Sequence, residues 1–295
     1  EARIIFAGRI AAGTLMGSAT SFGSDAIRND AVLVFHQTTD GTLANVLEGG
    51  GRIVKRGAGT LELTGRSSWN GTFAIDAGRV AVNGSVRGTF VVGDGGDLGG
   101  SGRIGALTVA SGGVVAPGNS IGRLKINGDF DIAAGATYAV EVSASGAADL
   151  VAASGSATID GGTVAVVADS GRYAARTDYT ILTADAGITG TFDAVEANFA
   201  FLDPRLRYDA TSVMLTLVRN DTDFGSIGRT RNERAAGRGV ESLGAGNPLY
   251  DAVLGLSKPA ARDAFDQLSG EIHASASTVF VEDSRLVREA AIGRL

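Results

Sequence analysis

The sequence predicts an all-β fold, a solenoid of short strands, followed by a short helical segment. Glycine accounts for 44 of the 295 residues and proline for only 4. Many short runs alternate apolar and polar residues between Gly, Asn or Asp turns. The runs also resemble one another, since "GAGTLELTG", "WNGTFAIDAG" and "VRGTFVVGDG" share a Gly-Thr-apolar-x-apolar core. Such repetition indicates stacked coils. The alternative, a β-sandwich or jelly roll, would have longer strands and fewer Gly turns.

The predicted strands lie before about residue 220. Alternation places Leu61 and Leu63 on one face of "TLELT". Longer runs and more aromatic residues follow Gly128. We divide this β part into residues 1–111 and residues 112–220. The strand-like runs are residues 31–37, 52–57, 60–65, 71–78, 79–84, 88–95, 106–112, 123–132 and 137–143.

The composition changes after residue 225. A polar stretch rich in Gly and Arg is typical of a linker, which we place at residues 221–246. Asn247 then precedes a proline as a predicted helix N-cap. Ser257 is a second predicted cap, and Gly270 a predicted stop. The segment 247–295 is thus a predicted helical connector, and its last helix repeats apolar residues as an amphipathic helix does, at Ile272, Ala276, Val279, Leu286, Val287 and Ala290.

The composition excludes several classes of function. The net charge of −6 and the pI near 5.0 argue against a nucleic-acid partner, because phosphate neutralisation needs clustered Lys and Arg. The sequence has no Cys, which excludes thiolate metal sites, disulfides and thiol catalysis. The sequence contains no run of about 18 apolar residues, so no transmembrane helix is predicted. No cofactor is predicted, and the opening "EARIIFAGRI" is strand-like rather than a signal peptide.

The two histidines are the first candidates for catalysis. His36 alternates with Val34 along a strand, which favours a structural or surface histidine. His273 lies in the predicted last helix, near Glu271 and Ser275. A Ser-His-Asp site needs all three side chains at one place, and the sequence has no G-x-S-x-G turn. We therefore predict that the chain is not an enzyme.

Two Gly-rich patterns are candidates for ligand binding. Asp94 and Asp97 lie in "VGDGGDLGGSGRIG", but the spacing of a calcium β-roll is not met and the pattern does not recur. Gly100 and Gly102 lack the Lys and the following helix of a phosphate loop. The interpretation we favour is a Gly-rich corner between coils.

Carboxylates on neighbouring coils are the candidates for polysaccharide hydrolysis. Asp25, Asp30 and Asp40 would allow such a cluster, although nothing in the sequence singles them out. Trp69 is a candidate sugar platform, but a residue that covers a coil edge is the preferred interpretation. A polysaccharide-active β-helix therefore remains the least favoured alternative.

The stretch "APGNS" interrupts strand-like sequence on both sides. Pro117 fixes φ, and Gly118 and Asn119 tolerate the turn that follows. We interpret Ser120 as a turn residue rather than a nucleophile, and the loop as the joint between residues 1–111 and residues 112–220. The residues to which we assign a structural or folding role are Gly59, Thr60, Trp69, Gly71, Pro117, Gly118, Asn119, Ser120 and Gly122.

Three segments, in this order, carry a resemblance to a known family. The stretch "GGGRIVKRGAGTLELTG" followed by "WNGT" resembles the passenger-associated repeat of Gram-negative type V autotransporters. The stretch "GGVVAPGNSIGRLKINGDF" and the strands after it resemble the autochaperone segment that closes the passenger. The stretch from "NPLYDAVLGL" onward resembles the connector to the membrane barrel. Together the three cover the chain from about residue 25.

The resemblance implies a right-handed parallel β-helix whose stem coils are residues 1–111. It also implies a C-terminal β-rich cap over residues 112–220, joined to the stem at "APGNS", and a helical connector over residues 247–295. It implies a non-catalytic stem and autochaperone region that promotes passenger folding and secretion across the outer membrane and presents an N-terminal head. The implied partner is the protein's own C-terminal outer-membrane β-barrel, and the implied location is the cell surface or the medium. Neither barrel nor head is present, so we expect a piece of a larger protein. The alternative function is an adhesive or self-associating surface module, with host surface or matrix ligands as partners.

Overall fold

The computed structural model describes residues 8–293, without the side chains of residues 271–278, 287, 290 and 291. The strand-like run at residues 1–7 therefore lies outside the described residues, as does the side chain of His273. The strands of the first half are β1 (Gly8–Ile10), β2 (Thr14–Gly17), β3 (Ile27–Asn29), β4 (Val32–His36), β5 (Gly41–Leu43), β6 (Leu47–Glu48), β7 (Arg52–Arg56), β8 (Leu61–Leu63), β9 (Arg66–Ser67), β10 (Thr72–Ile75), β11 (Gly78–Val82), β12 (Ser85–Val86), β13 (Thr89–Val92), β14 (Gly96–Gly100), β15 (Arg103–Ile104) and β16 (Ala106–Val109).

Twelve more strands and four α-helices follow among the described residues. The strands are β17 (Val114–Pro117), β18 (Arg123–Ile126), β19 (Phe130–Ala133), β20 (Thr137–Val142), β21 (Leu150–Ala153), β22 (Ala157–Asp160), β23 (Thr163–Ala168), β24 (Arg176–Ala184), β25 (Ile188–Gly190), β26 (Ala194–Ala197), β27 (Leu202–Tyr208) and β28 (Ser212–Arg219). The helices are α1 (Arg231–Glu241), α2 (Pro248–Leu254), α3 (Lys258–Ser269) and α4 (Glu271–Ile292), and the 3₁₀ helices are Ala19–Ser21 and Phe224–Ile227.

Before β27, consecutive strands belong to different sheets, and the chain returns to each long sheet once per coil. The first long sheet runs β2-β4-β7-β10-β13-β16-β19-β22-β25, and the second runs from β5 to β26 in steps of three strands. The third runs β9-β12-β15-β18-β21-β24 and ends in β28 and β27, while β1, β3 and β6 form a short fourth sheet. The fold is a right-handed parallel β-helix, which confirms the predicted fold class.

Coil length varies along the β-helix and increases after β16. Phe73 pairs with Phe90 and Phe90 with Leu107, so a coil takes 17 residues there. Phe130 pairs with Ala157, a separation of 27 residues. The strand pairs stay in register, so the added residues extend the loops between strands and lengthen strands such as β20, β23 and β24.

The core is a set of columns of side chains, one residue from each coil. Phe73 and Phe90 are neighbours in one column, and their rings stack with centroids 4.9 Å apart. Burial of each such side chain contributes about 1.5–3 kcal/mol. Because no coil can bury its apolar face alone, stability depends on stacking. The fully buried members of this column are Leu33, Ile53, Phe73, Phe90, Leu107, Phe130 and Ala157.

Lys55 occupies an inward position of the neighbouring column, between Phe35 and Ile75, and its side chain is fully buried. Its Nζ donates to the backbone oxygens of Gly57 at 2.8 Å and Ala77 at 2.9 Å. Burial lowers the pKa of the Lys55 amine. The stem of this lysine therefore packs in the core while its amine satisfies carbonyls at a coil corner.

The stacked coils continue across the predicted boundary between residues 111 and 112. β14 pairs with β17, and β17 pairs in turn with β20, all in parallel. Inside the later coils the buried Tyr138 hydroxyl donates to Ile181 O and accepts from Val151 N. The division at residue 112 is thus one of sequence pattern, and the ladders cross it without interruption.

The predicted linker at residues 221–246 contains helical structure, which corrects our interpretation of it. Thr230 caps α1 by accepting from Glu233 N at 3.0 Å, and the Glu233 carboxylate accepts in turn from Arg229 N. Phe224, at the start of the preceding 3₁₀ helix, is fully buried. The "TRNE" stretch is a capping-box pattern, Thr-x-x-Glu, and the richness in Gly and Arg concealed it.

The described chain divides into two compact units, and the second consists of residues 170–176, 198–203 and 218–295. In this second unit Phe224 lies at the centre of an aromatic cluster. Its ring centroid is 4.4 Å from that of Phe201 and 4.9 Å from that of Tyr250. The Arg219 guanidinium lies 5.0 Å from the Phe224 ring centre and donates to the Glu241 carboxylate at 2.8 Å. The helical segment thus has a core of its own.

The predicted caps of the connector are confirmed. Asn247 accepts from Leu249 N at 2.9 Å, and Ser257 accepts from Ala260 N at 3.4 Å. Gly270 ends α3 with a φ of 70°.

Helix α4 is present, as the apolar repeat predicts. Val279 and Leu286, two members of that repeat, are 58% and 61% exposed. The side chains of its other members, Ile272, Ala276, Val287 and Ala290, lie outside the described residues. Within the described part of the chain, none of the helices combines the length and apolar character needed to cross a membrane.

Candidate functional site

The loop after β17 is held by backbone bonds across two coils. Pro117 is buried at the end of β17 and pairs with Gly100 on β14. Gly118 follows with a φ of +87° and exchanges two backbone hydrogen bonds of 3.0 Å with Gly100. A Cβ on Gly118 would lie 1.9 Å from Ser120 O, so only glycine fits here. Ser120 itself is exposed on the turn.

This loop borders a groove on the outer face of the second sheet, which we call the acidic groove. Its volume is about 590 Å³. Small side chains form its floor, because Ala81, Ala116 and Ala139 occupy outward positions on β11, β17 and β20. The carboxylates among its lining residues are Asp40, Glu62, Glu141 and Asp149, and Arg79 is its cation.

A row of hydrogen bonds links five successive coils along this groove. Thr42 donates to Glu62 at 2.8 Å, and Asn83 donates to the other oxygen of Glu62 at 2.8 Å. Asn119 donates to Asn83 Oδ1 at 2.8 Å, and Ser101 N donates to the same oxygen at 3.1 Å. Asn119 is thus a bridge between coils as well as a turn residue.

Arg79 connects the groove to the loop. Its Nη1 donates to Asp97 at 2.6 Å, and its Nη2 donates to the backbone oxygen of Gly118 at 3.3 Å. Burial raises the pKa of the Asp97 carboxyl, and the Arg79 charge opposes that shift. Asp97, considered above as a calcium ligand, therefore serves as an ion-pair partner.

Asp149 fastens the far side of the loop. It is 1% exposed, and its two oxygens accept from Gly122 N and Glu141 N, each at 2.8 Å. Burial is the main cause that raises the pKa of Asp149 to about 6, with the Glu141 charge adding to it and the two N–H bonds and Arg79 opposing it. A single carboxyl group therefore ties β20 to the turn before β18.

The raised pKa of Asp149 predicts a specific pH dependence of stability. The folded state holds a proton more tightly than the unfolded state between about pH 4 and pH 6, so this group's contribution decreases as pH rises through that window. We expect the free energy of unfolding of the wild type, relative to Asp149→Asn, to fall by about 1–3 kcal/mol between pH 4 and pH 7. Denaturant titrations at four pH values measure it.

The exposed Asp160 provides the control for this experiment. Asp160→Asn should run parallel to the wild type over the same pH range. Parallel curves for the wild type and Asp149→Asn would contradict the assignment. Asp30, Asp40 and Asp129 have lowered pKa values caused mainly by hydrogen bonds to their carboxylates. Their contribution to stability therefore decreases as pH falls, at lower pH than the window used here. These three groups are common to all three proteins, so their effects cancel in the comparison.

Trp69 is fully buried rather than displayed to a ligand. Its Nε1 donates to Gly51 O at 3.1 Å, and its ring meets Phe73 edge to face at 6.1 Å. A Cβ on Gly88 would lie 2.2 Å from the indole, and one on Gly71 would lie 2.0 Å from Gly51 O. The "WNGT" segment is therefore a packing unit between coils.

Gly59 and Thr60 form the neighbouring corner. A Cβ on Gly59 would lie 2.5 Å from the backbone of Thr39. Thr60 N donates to Asp40 at 2.7 Å, which lowers the pKa of that carboxyl. Asp30 accepts instead from Arg9 and Arg28. Asp30 and Asp40 are each occupied by structural contacts, and Asp25, the third carboxylate considered, is exposed. The geometry therefore gives no support to the hydrolytic cluster considered from the sequence.

His36 is exposed near the end of β4 and pairs with Arg56 of β7. Among the residues whose side chains are described, no group of three His, Asp or Glu residues could hold a metal ion. The sequence reasoning missed Glu62, Arg79 and Asp149, because their roles depend on which coils are adjacent. Only the pairing register brings these side chains to the loop.

Two curated proteins match the chain, both extracellular serine proteases of Serratia marcescens. One is 31% identical over 303 residues and the other 27% over 306 residues. Each match covers 85% of this chain and 29% of the relative, so the chain spans less than a third of the curated relatives' length. A comparison with models of protein families finds no match.

The ordered sequence segments, the right-handed parallel β-helix and these two matches agree with one another. The relatives are extracellular, and a secreted or cell-surface location follows for this chain. The chain belongs to the passenger region of the type V autotransporters.

Proposed function

We propose that this region is the non-catalytic stem and autochaperone of its passenger, which promotes passenger folding and secretion and presents an N-terminal head. The observation that carries the proposal is the in-register parallel pairing of every coil with the next, from β7 through β25. A folded coil presents unpaired strand edges and an apolar column on which the preceding coil can stack. Folding that starts at the C-terminal coils can therefore propagate toward the N-terminus.

The end of the β-helix supports this role. The third sheet ends in β24, β28 and β27, of which β24 has 9 residues and β28 has 8. β27 and β28 are joined by a short turn in which Asp209 N donates to Ser212 O at 2.8 Å. Additional strands at the end of a sheet protect its edge from pairing with other chains. These features suit residues 112–220 to act as the template for the coils before them.

Folding energy is the proposed source of directed movement across the outer membrane. Each coil that stacks buries one member of every core column, worth about 1.5–3 kcal/mol per large apolar side chain. Stacking therefore opposes the return of a coil through the membrane. The proposed partner is the protein's own outer-membrane β-barrel, to which residues 247–295 would lead.

We also propose that this region contributes no catalytic centre. Serine protease is the name of the Serratia proteins, of which this chain matches 29%. Two of the three carboxylates that we considered as catalytic, Asp30 and Asp40, hold structural contacts. We therefore assign any protease activity of a parent protein to a part outside the matched region.

The test compares two deletions in the full-length protein that carries this region, with an epitope tag on its head. Deletion of residues 112–219 is expected to abolish surface display, measured by antibody binding to intact cells. The matched control deletes residues 73–89, one 17-residue coil, after which Phe90 replaces Phe73 on Ile53 and the register is kept. This control is expected to retain display. Equal display of the two proteins, or equal loss, contradicts the proposal.

A further inference from the structure

A second groove, on the outer face of the third sheet, has the opposite charge. We call it the basic groove; its volume is about 810 Å³. Four exposed cations line it, Arg66, Arg87, Arg103 and Lys125. Its other lining residues are Ser, Thr, Asn and Gly, so it has neither a carboxylate nor an aromatic ring. In a chain of net charge −6, this is a local reversal of charge.

The strand register arranges the cations in a row. Arg66 pairs with Ser85, Ser85 with Arg103, and Arg103 with Lys125. Adjacent strands are about 4.8 Å apart, so the row extends about 14 Å across four coils. Arg87 lies two residues after Ser85 and hence on the same face of its coil. The row is too long for a single small anion and suits a linear one.

These cations are not neutralised within the protein. Arg56, Arg79 and Arg219 each have a carboxylate within 4.0 Å. Among the described residues, no carboxylate oxygen lies within that distance of the four groove cations. Like charges opposite each other on adjacent strands, as at Arg103 and Lys125, destabilise a sheet. A bound anion would remove that cost.

We propose that the basic groove binds the sulfate or phosphate groups of an anionic polysaccharide. Guanidinium groups match these anions with two parallel N–H bonds. The serines between the cations, Ser68, Ser85 and Ser101, offer hydroxyls to the sugar hydroxyls. Single-stranded nucleic acid is the less suitable polyanion, because its binding sites use aromatic rings on which bases stack and the lining has none.

The test measures binding of heparin, a sulfated polysaccharide, to the purified 295-residue chain by calorimetry. The variant replaces Arg66, Arg103 and Lys125 with Ser. The control replaces Arg9, Arg28 and Arg56 with Ser, which changes the net charge equally at exposed sites elsewhere. At about 50 mM salt, we expect the groove variant to raise the Kd for heparin by about tenfold or more. The control should change that Kd by less than about threefold.

Three further measurements decide the outcome. Circular dichroism should show that both triple variants fold, since every replaced side chain is on the surface. Wild-type affinity for heparin should fall steeply from about 50 mM to about 200 mM salt. Equal losses of heparin affinity in the two variants would show that binding depends on net charge alone, and would overturn the proposal. Tighter binding of a single-stranded oligonucleotide than of heparin would overturn the choice of polysaccharide.

Discussion

Replacement of Trp69 with alanine is expected to lower the free energy of unfolding by about 3–5 kcal/mol. The indole is fully buried between coils, and its removal would leave a cavity beside Phe73. It would also remove the hydrogen bond of 3.1 Å that Gly51 O accepts from Trp69 Nε1. Because one coil supports the next, the loss should reduce the stability of the adjacent coils as well. Denaturant unfolding followed by circular dichroism measures it.

Two further variants separate the packing of Trp69 from its hydrogen bond. Trp69→Phe keeps a ring against Phe73 and loses the N–H donor, so a smaller loss of about 1–3 kcal/mol is expected. Gly88→Ala leaves Trp69 in place but adds a Cβ 2.2 Å from the indole. Since Trp69 is the single tryptophan of the chain, its fluorescence should shift to longer wavelength in that variant. A loss below about 1 kcal/mol in Trp69→Ala would show that the coils do not depend on this side chain.

The regular coils could be predicted because the residues within each strand are sufficient to indicate its structure. The alternation in "TLELT" states which side chains point inward, and Leu61 and Leu63 are buried as expected. The helix caps at Asn247 and Ser257 are equally local, since each side chain bonds to a backbone N–H two or three residues away. Such signals survive without knowledge of the tertiary structure.

The acidic groove could not be predicted, because it depends on contacts between coils of unequal length. Asp149 is 27 residues from Gly122, whose N–H it accepts. The residues between them include the loop at residues 143–149, which no periodic pattern describes. Lys55 could not be placed from the sequence either. A lysine in "RIVKRG" indicates an exposed position, but the side chain is buried and its amine donates to carbonyls at a coil corner.

The largest effect within the loop after β17 is expected from Gly118→Ala. Gly118 has a φ of +87°, and a Cβ there would lie 1.9 Å from the backbone oxygen of Ser120. The left-handed conformation costs a non-glycine residue about 1–2 kcal/mol. The clash adds to this cost, because relief of it requires the turn to move and break the two bonds between Gly118 and Gly100. We expect a total loss of about 3 kcal/mol or more in the free energy of unfolding.

Gly95→Ala is the matched control, since Gly95 has a φ of +78° but nothing within 4 Å of an added Cβ. It should lose only the conformational cost of about 1–2 kcal/mol. The difference between the two variants therefore isolates the close approach of the loop to its own backbone. If the loop after β17 joins the coils on either side, limited proteolysis of Gly118→Ala should begin near residues 116–122. Gly95→Ala should resist proteolysis as the wild type does. Equal losses in the two variants would mean that the loop is an ordinary turn, and its proposed role as the joint between stem and cap would then have no energetic basis.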